Sequence, residues 1–379
     1  MKKRRYFIVA FLVSMLILLL FTSVFAGTPP ENVRLLVHFS GIPDRSLIAL
    51  HGGRVLHAYT LLPKVLAVEV PVSALAGLSN NPQITLIEED VLVQTVGKPS
   101  PSPPAQVLPW GVDKIDAELS SATGLGVKVC IVDTGIKKNH ADLQANILGG
   151  KNFVAKGATI DANKWDDDNG HGTHVAGTVA ALNNAIGVVG VAPRASLLVA
   201  KVLNRQGSGY LSDVIAGVDW CVSQNAKVIS MSLGTSSDIQ AQHDAVDGAY
   251  AAGALIVAAA GNDYGGSVIY PAAYSSVIAV SATDSNNNLA AFSNIGPEIE
   301  LTAPGVNILS TWYDGSYATL SGTSMAAPHV SGVAALAWEL NPLMSNVEIR
   351  TLLQSTADDL GTVGKDISFG YGLVDAKLN

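Results

Sequence analysis

The chain has 379 residues, of which 48% are hydrophobic and 14% are charged, and its formal net charge is -8. This length and apolar content suit one large domain or two, and the absence of a basic block beyond the extreme N-terminus argues against a nucleic-acid partner. Two cysteines, Cys130 and Cys221, are too few for a disulfide-dense scaffold or a cysteine-rich zinc site, and although they could pair, their apolar surroundings favour buried free thiols.

The N-terminus has the pattern of an export signal. Four basic residues, Lys2–Arg5, precede an apolar run that extends to Phe21, and Val24-Phe25-Ala26 supplies the small residues that a signal peptidase requires. We therefore predict a signal peptide over residues 1–26 and a secreted, extracellular protein. The alternative is an uncleaved membrane anchor, because the apolar run approaches the length that spans a bilayer.

Residues 33–95 have the pattern of a small independent unit. Segments typical of strands and helices follow one another in the order β-α-β-β-α-β, which predicts a ferredoxin-like fold. Residues 97–104 are rich in proline and serine and cannot sustain a helix or a central strand. We predict that they form an exposed linker.

From residue 105 to residue 379, short apolar runs alternate with longer, alanine-rich segments. This alternation predicts an α/β fold with a mostly parallel sheet that helices cover on both faces. The predicted strands are 127–132, 196–202, 227–232, 254–259 and 277–281, and the predicted helices are 172–182, 211–224, 239–252 and 324–340. In such sheets the catalytic and ligand-binding residues lie beyond the carboxyl ends of the strands, which is where Asp133 and Asn262 are predicted.

Three short motifs in this region contain an acid, a base and a nucleophile. Asp133 follows a predicted strand in Val132-Asp133-Thr134-Gly135, His171 begins the run His-Gly-Thr-His-Val-Ala-Gly, and Ser324 lies in Gly322-Thr323-Ser324-Met325-Ala326. A serine hydroxyl is a poor nucleophile unless a base and an orienting acid activate it. The chain order Asp, His, Ser is one of the orders in which the same catalytic triad occurs.

Together the three motifs resemble those of the subtilisin family of secreted serine endopeptidases. The similarity runs from about Ala105 to the C-terminus, and residues 33–95 resemble the family's inhibitory propeptide more loosely. Each motif alone is weak evidence, whereas three in one order make chance agreement improbable. The resemblance implies a subtilisin-like three-layer α/β fold and hydrolysis of peptide bonds through an acyl-enzyme intermediate, with broad, mainly apolar specificity.

The resemblance also assigns a role to each motif. His171 would accept the proton of the Ser324 hydroxyl as general base, Asp133 would orient the imidazole, and the side chain of Asn262 would complete the oxyanion hole. His174 lies four residues after His171, but the glutamate of the two-histidine zinc motif is missing. We therefore expect His174 to pack in the core or to form a local hydrogen bond.

The resemblance places an extended substrate between two segments that would pair with it as neighbouring strands. These segments are Gly207-Ser208-Gly209 and Ser232-Leu233-Gly234, where glycine admits close backbone approach. The primary specificity pocket would lie between the second segment and Ala260. The loop that follows Asn262 is short and Ile269 is expected at the pocket floor, which predicts a preference for medium-sized apolar side chains.

The resemblance further implies one calcium ion as cofactor. Its implied ligands are all oxygen atoms, which a hard cation requires, and they come from the carbonyls of Leu182, Ile186 and Val188 and the side chains of Gln106, Asp142 and Asn184. A plain polar helix end is the alternative interpretation of this segment. The acidic run Asp166-Asp167-Asp168-Asn169 could hold a second calcium ion or could be a solvated loop.

Residues 33–95 are expected to act as an intramolecular chaperone and then as an inhibitor of the enzyme. Glu88, Glu89 and Asp90 are predicted to cap helix N-termini of the catalytic domain, where carboxylates are favoured. The last residues of the unit would pass through the cleft and be cut by Ser324, somewhere within Thr95–Ser100. The mature enzyme is predicted to be a monomer that acts on protein and peptide substrates.

Two other functions are compatible with the same sequence. One is a catalytically silent binding protein on the same fold, which is disfavoured because all four catalytic positions carry competent residues. The other is a membrane-tethered processing protease with one dedicated substrate, which requires that the N-terminal apolar segment stay attached.

Overall fold

The computed structural model describes residues 32–95, 100–101, 105–155 and 159–378. The predicted signal peptide, residues 1–26, lies outside these ranges, as does most of the predicted linker, residues 97–104. Across the described ranges, no helix has both the length and the apolar character that crossing a bilayer requires.

Residues 32–89 form a four-stranded antiparallel sheet against which two short helices pack. Its elements are β1 (Asn32–Phe39), α1 (Arg45–Leu50), β2 (Arg54–Ala58), β3 (Val65–Pro71), α2 (Leu75–Ser79) and β4 (Ile84–Glu89). Helix α1 begins where the Asp44 carboxylate accepts the backbone N–H of Ser46 at 2.9 Å, which satisfies one free donor of the first turn. The strand order β2-β3-β1-β4 gives this unit the β-α-β-β-α-β arrangement that the sequence predicts.

The larger body surrounds a parallel sheet of seven strands. They lie in the order β15 (Ile299–Pro304), β14 (Val277–Thr283), β13 (Leu255–Ala259), β11 (Val228–Met231), β7 (Lys128–Asp133), β9 (Ser196–Lys201) and β8 (Ile147–Asn152). The predicted strands and helices of this body agree with the observed bounds to within two residues. The elements after β4 are β5 (Leu92–Thr95), β6 (Ser100–Pro101), α3 (Trp110–Lys114), β7 (Lys128–Asp133), β8 (Ile147–Asn152), α4 (His171–Ala180), β9 (Ser196–Lys201), β10 (Ser208–Tyr210), α5 (Leu211–Ser223), β11 (Val228–Met231), β12 (Leu233–Gly234), α6 (Gln240–Ala251), β13 (Leu255–Ala259), β14 (Val277–Thr283), β15 (Ile299–Pro304), β16 (Ile308–Thr311), β17 (Tyr317–Leu320), α7 (Thr323–Leu340) and α8 (Asn346–Thr356).

The central sheet is buried on both faces, as the continuous apolar strands predict. Along β7, Val129 and Ile131 pack into the core formed with α4 and α7, whereas Cys130 and Val132 pack into the core formed with α5 and α6. Successive side chains of a strand point to opposite faces, so a strand buried on both sides must be apolar at every position. The result is the three-layer α/β fold.

Cys130 and Cys221 form a disulfide bond that joins β7 to α5, with Cα atoms 5.9 Å apart. The expectation of buried free thiols was therefore wrong. The alternation along β7 turns Cys130 toward the face that α5 covers, and Cys221 lies on the side of α5 that packs there. The two residues are 91 positions apart in the chain, so their proximity depends on tertiary packing that the local sequence does not show.

Candidate active site

Asp133 and His171 meet where β7 ends and α4 begins. Both carboxylate oxygens of Asp133 lie 2.9 Å from Nδ1 of His171, and both side chains are buried. The backbone N–H of Thr134 donates to Oδ1 of Asp133 at 2.6 Å and fixes the carboxylate. Because Nδ1 then carries the donated proton, Nε2 is left as the basic nitrogen. Nε2 is buried, and within the described ranges nothing hydrogen-bonds to it.

Ser324 is the second residue of α7 and is fully buried. Its hydroxyl donates to the carbonyl oxygen of Ser232 at 3.2 Å, and the Ser232 hydroxyl donates back to the carbonyl oxygen of Ser324 at 2.8 Å. Ser232 follows β11, which is the neighbour of β7 in the sheet. Ser324 and Asp133 therefore lie at the same carboxyl edge of the sheet.

Asn262 lies beyond β13 and is oriented by Thr323. Its Oδ1 accepts the backbone N–H of Thr323 at 3.0 Å and the Thr323 hydroxyl at 2.8 Å. The same hydroxyl accepts the backbone N–H of Gly261 at 3.1 Å. With Oδ1 occupied, the amide nitrogen of Asn262 is the donor that remains for an oxyanion, beside the N-terminus of α7. Thr323 stands in the serine motif, but the motif alone does not reveal that it orients Asn262.

The acidic run 166–168 makes specific contacts with three different parts of the protein. Asp166 accepts the backbone N–H of Lys138 at 2.8 Å, and Asp168 lies 2.6 Å from Nζ of Lys201. Asp167 is only 5% exposed and binds the start of α4. Asp166 and Asp168 are exposed, as the solvated-loop alternative expects, whereas the central Asp167 is buried and binds the start of α4. No group of three or more His, Cys, Asp or Glu side chains in the described ranges is placed to hold a metal ion.

Strand β5 lies between the two segments that were predicted to bind an extended substrate. It pairs antiparallel with β10 on one side and with β12 on the other. Gln94 is opposite both Ser208 and Gly234, and Val93 is opposite Gly209. At Gly209 an added Cβ would lie 2.2 Å from the carbonyl oxygen of Val202, so only glycine fits. The chain that follows the 32–89 unit thus occupies the predicted cleft between Gly207–Gly209 and Ser232–Gly234.

Two acidic residues at the end of the 32–89 unit cap helices of the larger body. Glu88 accepts the backbone N–H groups of Gln240 at 2.8 Å and Ala241 at 3.2 Å, at the start of α6. Asp90 accepts the backbone N–H of Ser212 at 2.6 Å, at the start of α5. Carboxylates at these positions satisfy free donors and interact favourably with the helix dipole. The capping prediction is confirmed for Glu88 and Asp90, whereas no helix contact of Glu89 is found in the described ranges.

A half-buried arginine and a histidine reinforce this interface. Arg34 on β1 donates to Asp90 at 2.9 Å and to the Ser212 hydroxyl at 2.6 Å, and its guanidinium lies 3.7 Å from the centre of the Tyr210 ring. His57 on β2 lies 2.8 Å from Asp213 of α5. Burial raises the pKa of the Asp90 carboxyl, and the Arg34 charge opposes that rise. The interface therefore depends on charged groups that are removed from water.

Ile269 lies between the two walls of the predicted specificity pocket. An added Cβ at Gly234 would stand 2.6 Å from Cδ1 of Ile269, and one at Gly261 would stand 3.1 Å from Cγ2. The backbone N–H of Ile269 donates to the carbonyl oxygen of Ala260 at 3.0 Å. The isoleucine side chain consequently fills the space that glycine leaves open on both sides.

The six residues predicted to bind calcium come together around the buried Asp142. Asn184 donates to Oδ1 of Asp142 at 2.6 Å, and the backbone N–H of Val188 donates to Oδ2 at 3.0 Å. Gln106 donates to the carbonyl oxygen of Leu182 at 3.1 Å, and Asn184 accepts the N–H of Ile186 at 2.7 Å. Burial raises the pKa of the Asp142 carboxyl. A carboxylate, two side-chain amides and the Leu182 carbonyl supply oxygen atoms of the kind that a hard cation prefers.

His174 has a structural role. Its Nε2 lies 3.0 Å from the carbonyl oxygen of Ile308 and 3.1 Å from that of Ala318, so it ties α4 to β16 and β17. Burial lowers the pKa of this imidazole to about 3, which keeps it neutral. The expected packing in the core is confirmed, and the hydrogen bonds of His174 reach residues that are distant in the chain.

Comparisons with known proteins agree with this geometry. The peptidase S8 family model, described as "Subtilase family", matches residues 124–372. M-protease of Shouchella clausii (strain KSM-K16) is 46% identical over 325 residues, which cover 85% of this chain and 80% of that protein. Alkaline elastase YaB of Bacillus sp. (strain YaB) is 45% identical over the same shares of both chains. Subtilisin Savinase of Lederbergia lenta is 48% identical over 72% of this chain and 98% of its own length.

Proposed function

The chain belongs to the subtilase family and is a serine endopeptidase, and from this premise we propose that Asp133, His171 and Ser324 are its catalytic triad. The observation that carries the proposal is the contact of both Asp133 oxygens with Nδ1 of His171 at 2.9 Å. This contact leaves Nε2 as the only basic nitrogen of the imidazole, at the sheet edge where Ser324 lies in the first turn of α7. The substrates are proteins and peptides.

The reaction follows from these positions. Nε2 of His171 accepts the hydroxyl proton of Ser324 while Oγ forms a bond with the substrate carbonyl carbon. The resulting oxyanion is stabilised by the amide nitrogen of Asn262 and by the backbone N–H of Ser324. The imidazolium then protonates the leaving amine as the peptide bond breaks. A water molecule hydrolyses the acyl-enzyme by the same steps in reverse, with His171 again as the base.

A fluorophosphonate probe tests the proposed triad, because it reacts only with an activated serine. The wild-type mature protein is expected to be labelled, and Ser324→Ala is expected to abolish the labelling. Ser331→Ala is the matched control, since Ser331 lies on the same helix, is equally buried and donates its hydroxyl to Ser230 at 3.0 Å. Absence of labelling in folded wild-type protein would favour a catalytically silent binding protein on this fold.

We also propose that the protein is exported and then cuts itself within Thr95–Ser100. The paired register sets Thr95 opposite Leu233 and Gln94 opposite Gly234. Leu233 follows Ser232, whose carbonyl oxygen accepts the Ser324 hydroxyl at 3.2 Å, so β5 ends beside the proposed nucleophile. N-terminal sequencing of the secreted active protein tests both proposals, and the mature chain is expected to begin within residues 96–100. A mature form that retains residues 33–95 would contradict self-processing.

We propose that the cluster around Asp142 binds one calcium ion. The side-chain oxygens of Gln106, Asp142 and Asn184 and the carbonyls of the loop 182–188 would hold it. When bound, the ion would join this loop to the start of the larger body at Gln106 and would take no part in peptide hydrolysis. The support is that the Asn184 amide contacts the buried Asp142 carboxylate and the Gln106 amide contacts the Leu182 carbonyl, so residues that carry suitable oxygen atoms lie together.

A further inference from the structure

We propose that Asp167 is a positioning residue for the catalytic pair, an inference that rests on the proposed triad. Its buried carboxylate ties the loop that carries Asp133 to the helix that carries His171. Asp167 itself touches neither the imidazole nor the cleft, so its effect on catalysis passes through Thr134 and the first turn of α4.

The carboxylate of Asp167 accepts five hydrogen bonds. Oδ1 accepts the Thr134 hydroxyl at 2.9 Å and the backbone N–H groups of Asn169 and Gly170 at 3.0 Å. Oδ2 accepts the backbone N–H of Thr173 at 3.0 Å and its hydroxyl at 2.5 Å. Both oxygens are thus fully used, on opposite sides of the carboxylate, and each side binds a backbone N–H at the start of α4.

Thr134 links this carboxylate to the catalytic acid. Its hydroxyl donates to Asp167 and also accepts the backbone N–H of Gly172 at 2.9 Å, while its own backbone N–H donates to Asp133 at 2.6 Å. The ring of contacts closes through Asp133 and His171. A displacement of the Thr134 hydroxyl therefore changes the position of the acid and of the base together.

The loop and the helix have no free space between them. An added Cβ at Gly172 would lie 2.2 Å from the carbonyl oxygen of Gly135 and 3.1 Å from Cβ of Asp133. An added Cβ at Gly135 would lie 2.6 Å from the carbonyl oxygen of Trp165, at the start of the acidic run. Because these backbones are in direct contact, a shift of the first turn of α4 is not absorbed by side chains. It alters the distance between Asp133 and His171.

An amide cannot replace this carboxylate. Asparagine has one oxygen, so in Asp167→Asn the amide NH2 group must face either the donors bound to Oδ1 or the donors bound to Oδ2. Two donors then point at each other, and an unsatisfied buried donor is costly. The substitution also removes a negative charge from the N-terminus of α4, where that charge interacts favourably with the positive end of the helix dipole.

The experiment compares mature Asp167→Asn, Thr134→Val and Thr134→Ser with the wild type on a soluble peptide substrate. We expect kcat to fall about 10- to 100-fold in the first two variants, since sub-ångström errors in catalytic geometry have effects of this order. KM is expected to stay within about twofold, because neither residue lines the cleft. Thr134→Ser keeps the hydroxyl and is expected to retain most of the wild-type kcat.

Thr134→Val also guards against misfolding, because it leaves the four bonds of Asp167 to residues 169–173 intact. It removes the two bonds of the Thr134 hydroxyl, one to Asp167 and one from the backbone N–H of Gly172. The double variant Asp167→Asn/Thr134→Val is expected to lose less activity than the product of the two single losses, since both break one connection. Multiplicative losses, or an unchanged kcat in Thr134→Val, would overturn the proposal.

Ser345→Ala controls for loss of a helix cap as such. Ser345 caps α8 and accepts the backbone N–H of Glu348 at 3.3 Å, away from the proposed triad. This variant is expected to be less stable but to keep the wild-type kcat, and an equal loss of kcat here would show that Asp167 acts through stability alone. An unlabelled wild type in the fluorophosphonate experiment would contradict the proposed triad itself. A labelled wild type with an unchanged kcat in Thr134→Val would contradict only the positioning role of Asp167.

Discussion

Thr323 decides which end of the Asn262 side chain is available for catalysis. Two donors from this one residue hold the amide oxygen, and this leaves the amide nitrogen as the free donor. Without the Thr323 hydroxyl, the amide oxygen of Asn262 loses one of its two hydrogen bonds, and the amide group can rotate so that oxygen and nitrogen exchange places. The orientation of the proposed oxyanion donor therefore depends on a neighbour that does not touch the oxyanion.

We expect Thr323→Val to lower kcat by about five- to tenfold, which corresponds to the loss of one neutral hydrogen bond. KM should change little, because the contact acts on the transition state. Steady-state kinetics on a peptide substrate measures the effect, and Thr323→Ser, which keeps the hydroxyl, is the control. A wild-type kcat in the valine variant would show that the backbone N–H alone orients Asn262.

Ile269 is expected to limit the size of the side chain that the enzyme accepts before the cut. Ile269→Ala removes the atoms that face Gly234 and Gly261, so kcat/KM should rise for peptides with phenylalanine or tyrosine at this position and fall for those with medium aliphatic residues. A peptide-library profile of both proteins provides the measurement. A wild-type profile that already favours aromatic residues would contradict the narrowed pocket.

The elements and the main site residues were predictable because their signals are local. Apolar runs of strand length identified β7, β9, β11, β13 and β14, and three motifs identified the acid, the base and the nucleophile. Strand β8 was missed because Gly149 and Gly150 interrupt its apolar pattern. The roles of Asp167 and Thr323 were not predictable, because their partners are distant in the chain or belong to a loop whose conformation only the fold determines.

At the scale of elements, α5 is held at both ends by groups from other parts of the chain. Asp90 caps its first turn, and Cys221 near its last turn is bonded to Cys130 in the centre of the sheet. Helix α5 also follows directly after β10, which pairs with β5. The disulfide therefore supports the helix that extends from one wall of the cleft.

Replacement of both cysteines by serine is expected to lower the free energy of unfolding by about 2–4 kcal/mol, because the bond restricts the unfolded chain over a long loop. Chemical denaturation of the mature protein measures the change. Wild-type protein treated with a reductant under unfolding conditions should reproduce it, and an unchanged midpoint in the double variant would contradict a stabilising disulfide.

Calcium is expected to raise the midpoint of thermal unfolding of the wild type, because a ligand that binds only the folded state stabilises it. Addition of a chelator should reverse the rise. In Asp142→Asn the carboxylate charge is lost, so the midpoint should no longer respond to either reagent. A wild-type midpoint that is the same with calcium and with chelator would remove this cofactor from the protein.

At the scale of the whole molecule, stability depends on histidines that the fold keeps neutral. Burial lowers the pKa of His174 to about 3 and that of His329 to about 4. In the unfolded chain both would titrate near the ordinary value of about 6.5. The unfolded state therefore binds more protons than the folded state in the range between these values.

Above about pH 6.5, these two histidines should leave the free energy of unfolding unchanged. As the pH decreases from there toward 4, the free energy of unfolding should fall, by about 1.4 kcal/mol per pH unit for each proton that the unfolded state binds in excess. The urea midpoint of the unprocessed Ser324→Ala chain, measured over this range without self-digestion, checks the slope. His329→Gln removes one of the groups and should make the slope shallower. A slope equal to that of the wild type would show that His329 is not responsible.

The position of β5 between β10 and β12 has a consequence for the way activity depends on concentration. While residues 32–95 are part of the same chain, they face the cleft at an effective concentration of about millimolar, whatever the amount of protein present. A cut after β5 turns the same contacts into an ordinary association of two molecules, which obeys mass action. We therefore expect that, after the cut, dilution alone releases the segment 32–95 and activates the enzyme. A higher concentration of the segment and the enzyme should favour their association and inhibit it.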